Sequence, residues 1–76
     1  MVEEKDFLTH VSEKVLGGEV ITMDEELKDI AAWDSLAGVS FLAVADVDYG
    51  HPLDPIEAKE AKTVRDLYNL VNGEID

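Results

Sequence analysis

The sequence contains no cysteine and few basic residues, and each shortage excludes particular kinds of site or partner. Without cysteine there are no disulfides, no thiolate metal sites and no cysteine nucleophile. No apolar run approaches the roughly 20 residues that a membrane-spanning helix needs. Residues 1–6 are acidic and lack the pattern of a signal peptide. From these absences we expect a soluble, cytoplasmic protein.

The chain is strongly acidic, with 18 acidic against 6 basic residues and a net charge of −12. Nucleic acid and anionic membrane surfaces repel such a chain, so we expect neither as a partner. Hydrophobic residues make up 46%, which is typical of a folded chain and not of an acidic disordered tail. The length of 76 residues predicts one domain, residues 1–76, with a small core, and we expect a monomer.

The first predicted helix covers residues 3–16. Its apolar residues recur every four positions at Phe7, Val11 and Val15, and acids fill the first turn, where the helix dipole favours them. Two glycines at 17–18 end it.

The second predicted helix covers residues 35–48 and is apolar on most sides. Gly38 interrupts it at a cost of about 1 kcal/mol relative to alanine. Its apolar residues at three- and four-residue spacing are Leu36, Val39, Ala43 and Val47, and Phe41, Leu42, Val44 and Ala45 widen that face.

Two shorter helices complete the prediction. Asp54 as N-cap and a proline at the first helical position favour a short helix over 55–61, with Ile56 as its one large apolar residue. Residues 63–66 have the Thr-x-x-Asp pattern of a capping box and begin the last helix, which Gly73 follows. The apolar stripe of this last helix is Val64, Leu67, Tyr68 and Val71.

The segment between the first two helices, residues 19–33, is compatible with two structures. A capping-box pattern at 22–25 would start a short helix with Leu27 and Ile30 on one edge. A long loop with a single helical turn, pinned by Leu27, Ile30 and Trp33, fits equally well, and we favour the loop. Because no segment alternates with period two, the sequence predicts an all-α fold.

Ser35 is the candidate functional residue. Asp34 before it is a good N-cap, which places the serine in the first helical turn with its hydroxyl pointing outward. A phosphate on that oxygen would meet free backbone N–H groups and the positive end of the helix dipole. We take Ser35 as a candidate phosphate attachment point, and a plain Asp N-cap explains the motif alone equally well.

Catalytic and metal sites are not predicted. A serine nucleophile needs a base within reach, the only histidines are His10 and His51, and no Gly-x-Ser-x-Gly elbow is present. Asp46, Asp48 and Glu57 would fall at calcium-ligand positions of an EF-hand loop. That match fails because His51 stands where the loop requires glycine.

Three separated motifs resemble those of the acyl carrier proteins. Trp33-Asp34-Ser35-Leu36, followed by Val39, resembles the phosphopantetheine attachment site of that family. Leu27-x-x-Ile30 resembles the apolar pair that folds the family's long loop inward. Tyr49-Gly50-His51-Pro52-Leu53 resembles the segment that closes helix II, and Thr63-Val64-Arg65-Asp66-Leu67 resembles the start of helix IV. The resemblance covers nearly the whole chain.

The resemblance implies a four-helix bundle of acyl-carrier type, with a long loop between helices I and II and a short helix III. It implies that a phosphopantetheinyl transferase attaches 4′-phosphopantetheine from coenzyme A to Ser35. The arm's thiol would hold acyl groups as thioesters for fatty-acid, polyketide or specialised-lipid enzymes, and the chain itself would not be an enzyme. Asp34 would help to place the serine and the transferase's metal, Leu36 would contact partner enzymes, and Asp46 and Asp48 would meet their basic patches.

The chain departs from the fatty-acid-synthesis type of that family, which carries acids after the serine and on the outer face of helix II. Here those positions are Ala37, Gly38, Ser40 and Val47, so we expect partners to dock more through shape than through charge. Two alternatives stay open. An aminoacyl or peptidyl carrier shares the fold and the serine, although residues 31–34 do not match its usual site closely. A helical interaction module without a prosthetic group is the other.

Overall fold

Four helices form the regular structure of residues 2–72, the part of the chain that the computed structural model describes. They are α1 (Glu4–Lys14), α2 (Ser35–Val47), α3 (Pro55–Glu60) and α4 (Val64–Asn72). No strand occurs within these residues, and their one β-bridge is isolated, so the all-α prediction is confirmed. None of these helices has the length and apolar content to cross a membrane. The predicted helix stop at Gly73 lies outside the described residues.

Phe7 on α1 joins three helices in the core. Its side chain is 0% exposed, and its ring packs edge-on against Tyr68 of α4 at 5.3 Å and Phe41 of α2 at 6.3 Å between centroids. Tyr49, just after α2, lies against the same ring at 6.0 Å. Such aromatic pairs each add about 0.5–1.5 kcal/mol beyond the area they bury. The predicted apolar stripe of α1 is therefore confirmed at its centre.

The apolar residues predicted for α2 divide between a buried face, which includes Phe41 and Ala45, and an exposed face. The buried residues are Ala37, Phe41 and Ala45, spaced four apart. Both faces satisfy helical spacing, and the large ring of Phe41 determines which one turns inward because it buries the most area. Ala37, expected on the outer face, is one of these buried residues. The stripe that the sequence suggested is exposed, namely Leu36, Val39, Ala43 and Val47.

The long connection between α1 and α2 is a loop with one 3₁₀ turn, Leu27–Asp29, as the favoured interpretation predicted. Leu27 and Ile30 are buried and Trp33 is half-buried, so these three side chains pin the loop. The capping-box pattern at 22–25 is only partly realised. Glu25 accepts a hydrogen bond from the backbone N–H of Thr22 at 3.3 Å, but no helix follows.

Backbone hydrogen bonds tie this loop to the start of α4. Leu27 N–H donates to the carbonyl of Lys62 at 2.8 Å, and Arg65 N–H donates to that of Met23 at 2.9 Å. The Arg65 guanidinium also contacts Glu4 of α1 at 3.2 Å and Asp24 of the loop at 3.5 Å. The hydrogen bond to Glu4 is the main reason that the pKa of Arg65 is raised. The loop is thus fixed to α4, and Arg65 links α4 in turn to α1.

The two predicted helix starts in the second half of the chain are confirmed. Asp54 accepts from the N–H of Ile56 at 2.9 Å, and Glu57 accepts from the N–H of Asp54 at 3.2 Å, which completes a capping box before α3. The residue that α3 buries is Ala58, whereas Ile56 is 62% exposed. This short helix therefore packs against α2 and α4 with a small side chain.

Asp66 caps α4 and makes stability depend on pH. Its carboxylate accepts from the N–H groups of Lys62 at 2.9 Å and Thr63 at 3.1 Å, and these bonds, that of Lys62 first, lower its pKa. The stabilisation is complete above the ordinary value of 3.8 and is lost as the pH falls through the lowered pKa. We expect Asp66→Asn to lower the free energy of unfolding at pH 7 by no more than about 1 kcal/mol, because the carboxylate is screened by solvent.

Urea unfolding of wild type and Asp66→Asn at pH 7 and pH 3 measures this. The difference between the two proteins should shrink at pH 3. A difference of equal size at both pH values would show that the charge of Asp66 has no part in the cap.

Candidate functional site

Ser35 is the first residue of α2 and is exposed. Asp34 before it has extended backbone angles, and its carboxylate accepts from the N–H of Ala37 at 2.9 Å, so the predicted N-cap is confirmed. The Ser35 hydroxyl makes no hydrogen bond to another residue within 2–72. The first N–H groups of a helix have no partner inside it, and a group on the Ser35 oxygen would lie beside them.

A cleft between α2 and α3 opens beside this serine, with a volume of about 330 Å³. We name it the α2–α3 cleft. Its walls are mainly apolar, since Trp33, Leu42 and Ala58 line it together with the aliphatic parts of its other residues. The described residues that line it are Trp33, Asp34, Ser35, Gly38, Val39, Leu42, Pro55, Ala58, Lys59 and Ala61.

Gly38 lines the cleft without a structural need for glycine. Its φ is not positive, and a Cβ placed on it would meet no other atom within 4 Å. Alanine there would stabilise the helix by about 1 kcal/mol. The missing side chain leaves open space one turn after Ser35, on the cleft side of α2.

No arrangement for nucleophilic catalysis surrounds the serine. Neither His10 nor His51 is among the described residues that line the cleft. His10 instead contacts Asp48, with 2.6 Å between Nε2 and Oδ2. Within residues 2–72, no three His, Asp or Glu side chains are grouped so that they would hold a metal ion.

Comparisons with protein-family models, with curated proteins and with solved structures find no match. What the chain does is therefore inferred from its own residues.

The structure brings together three of the five predicted site residues. Asp34, Ser35 and Leu36 are consecutive at the start of α2, and Leu36 is 76% exposed beside the serine. Asp46 and Asp48 lie at the other end of the helix, roughly 16–20 Å away at 1.5 Å per residue. A single small contact at the serine would not reach them, whereas a partner lying along the whole of α2 would.

Asp48 already has a partner inside the chain. Its carboxylate contacts His10 of α1, and the adjacent Tyr49 packs edge-on against the His10 ring at 5.4 Å. Burial is the main reason that the pKa of Tyr49 is raised, and the charge of Asp48 adds to it. This group holds the end of α2 against α1, so Asp48 has a structural role besides the predicted docking role.

An exposed apolar strip consists of large side chains on one face of α2 and one on α3. We define it as Leu36, Val39 and Val47 of α2 with Ile56 of α3, exposed by 76%, 65%, 79% and 62%. Monomeric proteins seldom expose contiguous apolar patches without a function. The strip begins beside Ser35, so a partner that covers it would be in reach of the serine.

Sequence reasoning missed the α3 wall of the cleft. Lys59, Pro55 and Ala58 line it, and nothing in their local pattern points to Ser35. Only the packing of α3 against α2 brings them there. Lys59 is one of only 6 basic residues, but that scarcity alone does not distinguish it from the other five.

Proposed function

We propose that this chain is an acyl carrier, with 4′-phosphopantetheine on Ser35 Oγ and acyl groups held as thioesters on the thiol of that arm. The main support is the position of Ser35, an exposed serine that directly follows the Asp34 cap and opens onto a mainly apolar cleft. In this proposal the four helices have the acyl-carrier arrangement, and the chain acts in the cytoplasm and is not itself an enzyme.

Attachment requires an accessible hydroxyl and little else from this chain. Ser35 Oγ attacks the β-phosphorus of coenzyme A, a phosphodiester forms, and adenosine 3′,5′-bisphosphate leaves. The hydroxyl proton goes to a base of the phosphopantetheinyl transferase. Asp34 keeps the serine at the helix start through its bond to Ala37 N–H, and its second carboxylate oxygen is available to the transferase's metal ion. Once bound, the arm supplies the thiol that forms the thioester.

The α2–α3 cleft supports the proposal because it offers space for the arm and a short cargo beside Ser35. Its apolar walls cover alkyl groups, and the open space at Gly38 lets a chain approach α2 closely. A glycine that weakens the helix and relieves no clash is easier to explain by such an approach than by folding.

Partner enzymes would dock on the exposed apolar strip. Leu36 begins this strip beside the arm, and Asp46 offers a carboxylate to a basic rim at its far side. Because α2 has no acid in its first turn, shape and apolar area would contribute more to this contact than charge.

Mass spectrometry of the intact chain tests the proposal. After incubation with coenzyme A, magnesium and a broad-specificity phosphopantetheinyl transferase, we expect a gain of one phosphopantetheine, which peptide mapping places on Ser35. Circular dichroism of the same sample shows that the chain is helical. A helical chain that gains nothing from this transferase or from a second one would contradict the carrier function.

The second candidate is a helical interaction module without a prosthetic group. The exposed apolar strip supports it, because docking alone would explain those side chains. It does not explain the open cleft beside Ser35. Absence of loading together with a partner that protects the strip would favour this alternative.

A further inference from the structure

Among the described residues that line the α2–α3 cleft, Lys59 is the one cation, in a chain that has only 6 basic residues against 18 acidic ones. Of the other five cations, Arg65 and Lys28 contact carboxylates outside the cleft, and the remaining three lysines are not among its described lining residues. Lys59 makes no ion pair with any residue within 2–72. Within the described residues, Lys59 is therefore an unpaired cation in the same cleft lining as Ser35.

Lys59 and Ser35 lie on opposite walls of the cleft. Lys59 is on α3, Ser35 is on α2, and the apolar side chains of Leu42 and Ala58 lie in the same lining. Asp34 is the one acid among the described lining residues, and one of its carboxylate oxygens accepts from Ala37 N–H. Lys59 is therefore the group in this lining that attracts an anion, while the Asp34 carboxylate in the same lining opposes one.

Lys59 also lies in the last turn of α3, where a cation interacts favourably with the helix dipole. That structural role needs no ligand. Lys62 provides a comparison, because it is exposed, three residues further on, and lines a different cleft with Glu26 and Leu27. The two lysines carry the same charge and differ in which cleft they face.

We propose that Lys59 binds an anionic group of the arm on Ser35 and so positions the arm along the α2–α3 cleft. This inference rests on the proposed carrier function. Two anions fit the same chemistry, the phosphodiester at Ser35 or a carboxylate at the end of the cargo. The net charge of −12 disfavours either one elsewhere on this surface.

The test uses the loaded chain in three forms, prepared with a phosphopantetheinyl transferase from coenzyme A, hexanoyl-coenzyme A and adipoyl-coenzyme A. The two cargoes have the same number of carbons and differ by a terminal carboxylate. The ³¹P chemical shift reports on the phosphodiester. The rate at which hydroxylamine cleaves the thioester reports on the cargo, because a cargo held in the cleft is shielded. Each form is compared in wild type, Lys59→Gln, Lys59→Arg and Lys62→Gln.

If the phosphodiester is the anion, Lys59→Gln changes the ³¹P shift in all three forms and Lys59→Arg restores it. If the cargo carboxylate is the anion, Lys59→Gln speeds cleavage of the adipoyl form by about two- to fivefold and leaves the hexanoyl form unchanged. Lys62→Gln, which removes the same charge outside the cleft, should change neither.

A loaded chain that responds equally to Lys59→Gln and Lys62→Gln, or to neither, overturns the role of Lys59 alone. A wild-type chain that accepts no arm contradicts the carrier function instead. The two failures are thus distinguished by the mass of the starting protein.

Discussion

Ser35→Ala is expected to abolish the gain of phosphopantetheine completely while the chain stays folded. The substitution removes the oxygen that would form the phosphodiester. It removes no hydrogen bond within residues 2–72, because the cap of α2 is made by the Asp34 carboxylate and Ala37 N–H. Alanine is also the best helix former, so α2 should be at least as stable as before. Intact mass after the transferase reaction and the circular dichroism of the variant are the two readouts.

Ser40→Ala is the matched control for this experiment. Ser40 is an exposed serine on the same helix, but it does not line the α2–α3 cleft. It should load like wild type. A Ser35→Ala chain that still gains the arm would show that the attachment point is not Ser35. A Ser40→Ala chain that fails to load would point to Ser40 as the attachment point.

Leu67→Ala is expected to lower the free energy of unfolding by about 2–5 kcal/mol. Leu67 on α4 is 0% exposed and belongs to the single core cluster, so truncation removes buried methyl groups and leaves a cavity. A domain of this size has a total stability of about 5 kcal/mol, and such a variant would be close to unfolded at room temperature. Urea unfolding followed by circular dichroism measures the loss.

Two further leucines turn this into a graded series. Leu42 on α2 is half-buried and lines the cleft, so Leu42→Ala should cost clearly less than Leu67→Ala. Leu36 is 76% exposed, and Leu36→Ala should stay within about 0.5 kcal/mol of wild type. Equal losses in all three variants would mean that burial in this structure does not determine their contributions.

The sequence was most informative where a helix has one apolar face. The predicted stripe of α4, which includes Leu67 and Tyr68, is buried throughout, because the rest of that helix is polar and offers no competing face. In α2 the predicted apolar residues cover most sides of the helix, and spacing did not tell the buried Phe41 from the exposed Val39. Periodicity finds an apolar face, but it does not choose between two.

Contacts between residues close in sequence were predictable, and contacts between distant residues were not. The caps at Asp34, Asp54 and Thr63 depend on residues at most three positions away, and all three form as expected. The isolated bridge between Glu26 and Thr63 joins distant parts of the chain, and no local sequence pattern predicts it. Loop residues such as these become neighbours only through the packing of the whole core.

In the candidate site, too, one part follows from local sequence and the other depends on packing between helices. Ser35 was found from the sequence because its cap and its helix start are adjacent to it. The cleft and Lys59 were not, because they depend on how closely α3 approaches α2. That approach is made with Ala58, a side chain too small to stand out in any hydrophobic pattern.

Trp33 gives this small chain a built-in optical probe. It is the single tryptophan of the sequence, it lines the cleft beside Ser35, and its ring lies edge-on to that of Phe41 at 6.0 Å. Its emission therefore arises from one known place, between the candidate site on one side and the core on the other. Anything that enters the cleft changes the polarity around that indole, and no label has to be attached for the change to be seen.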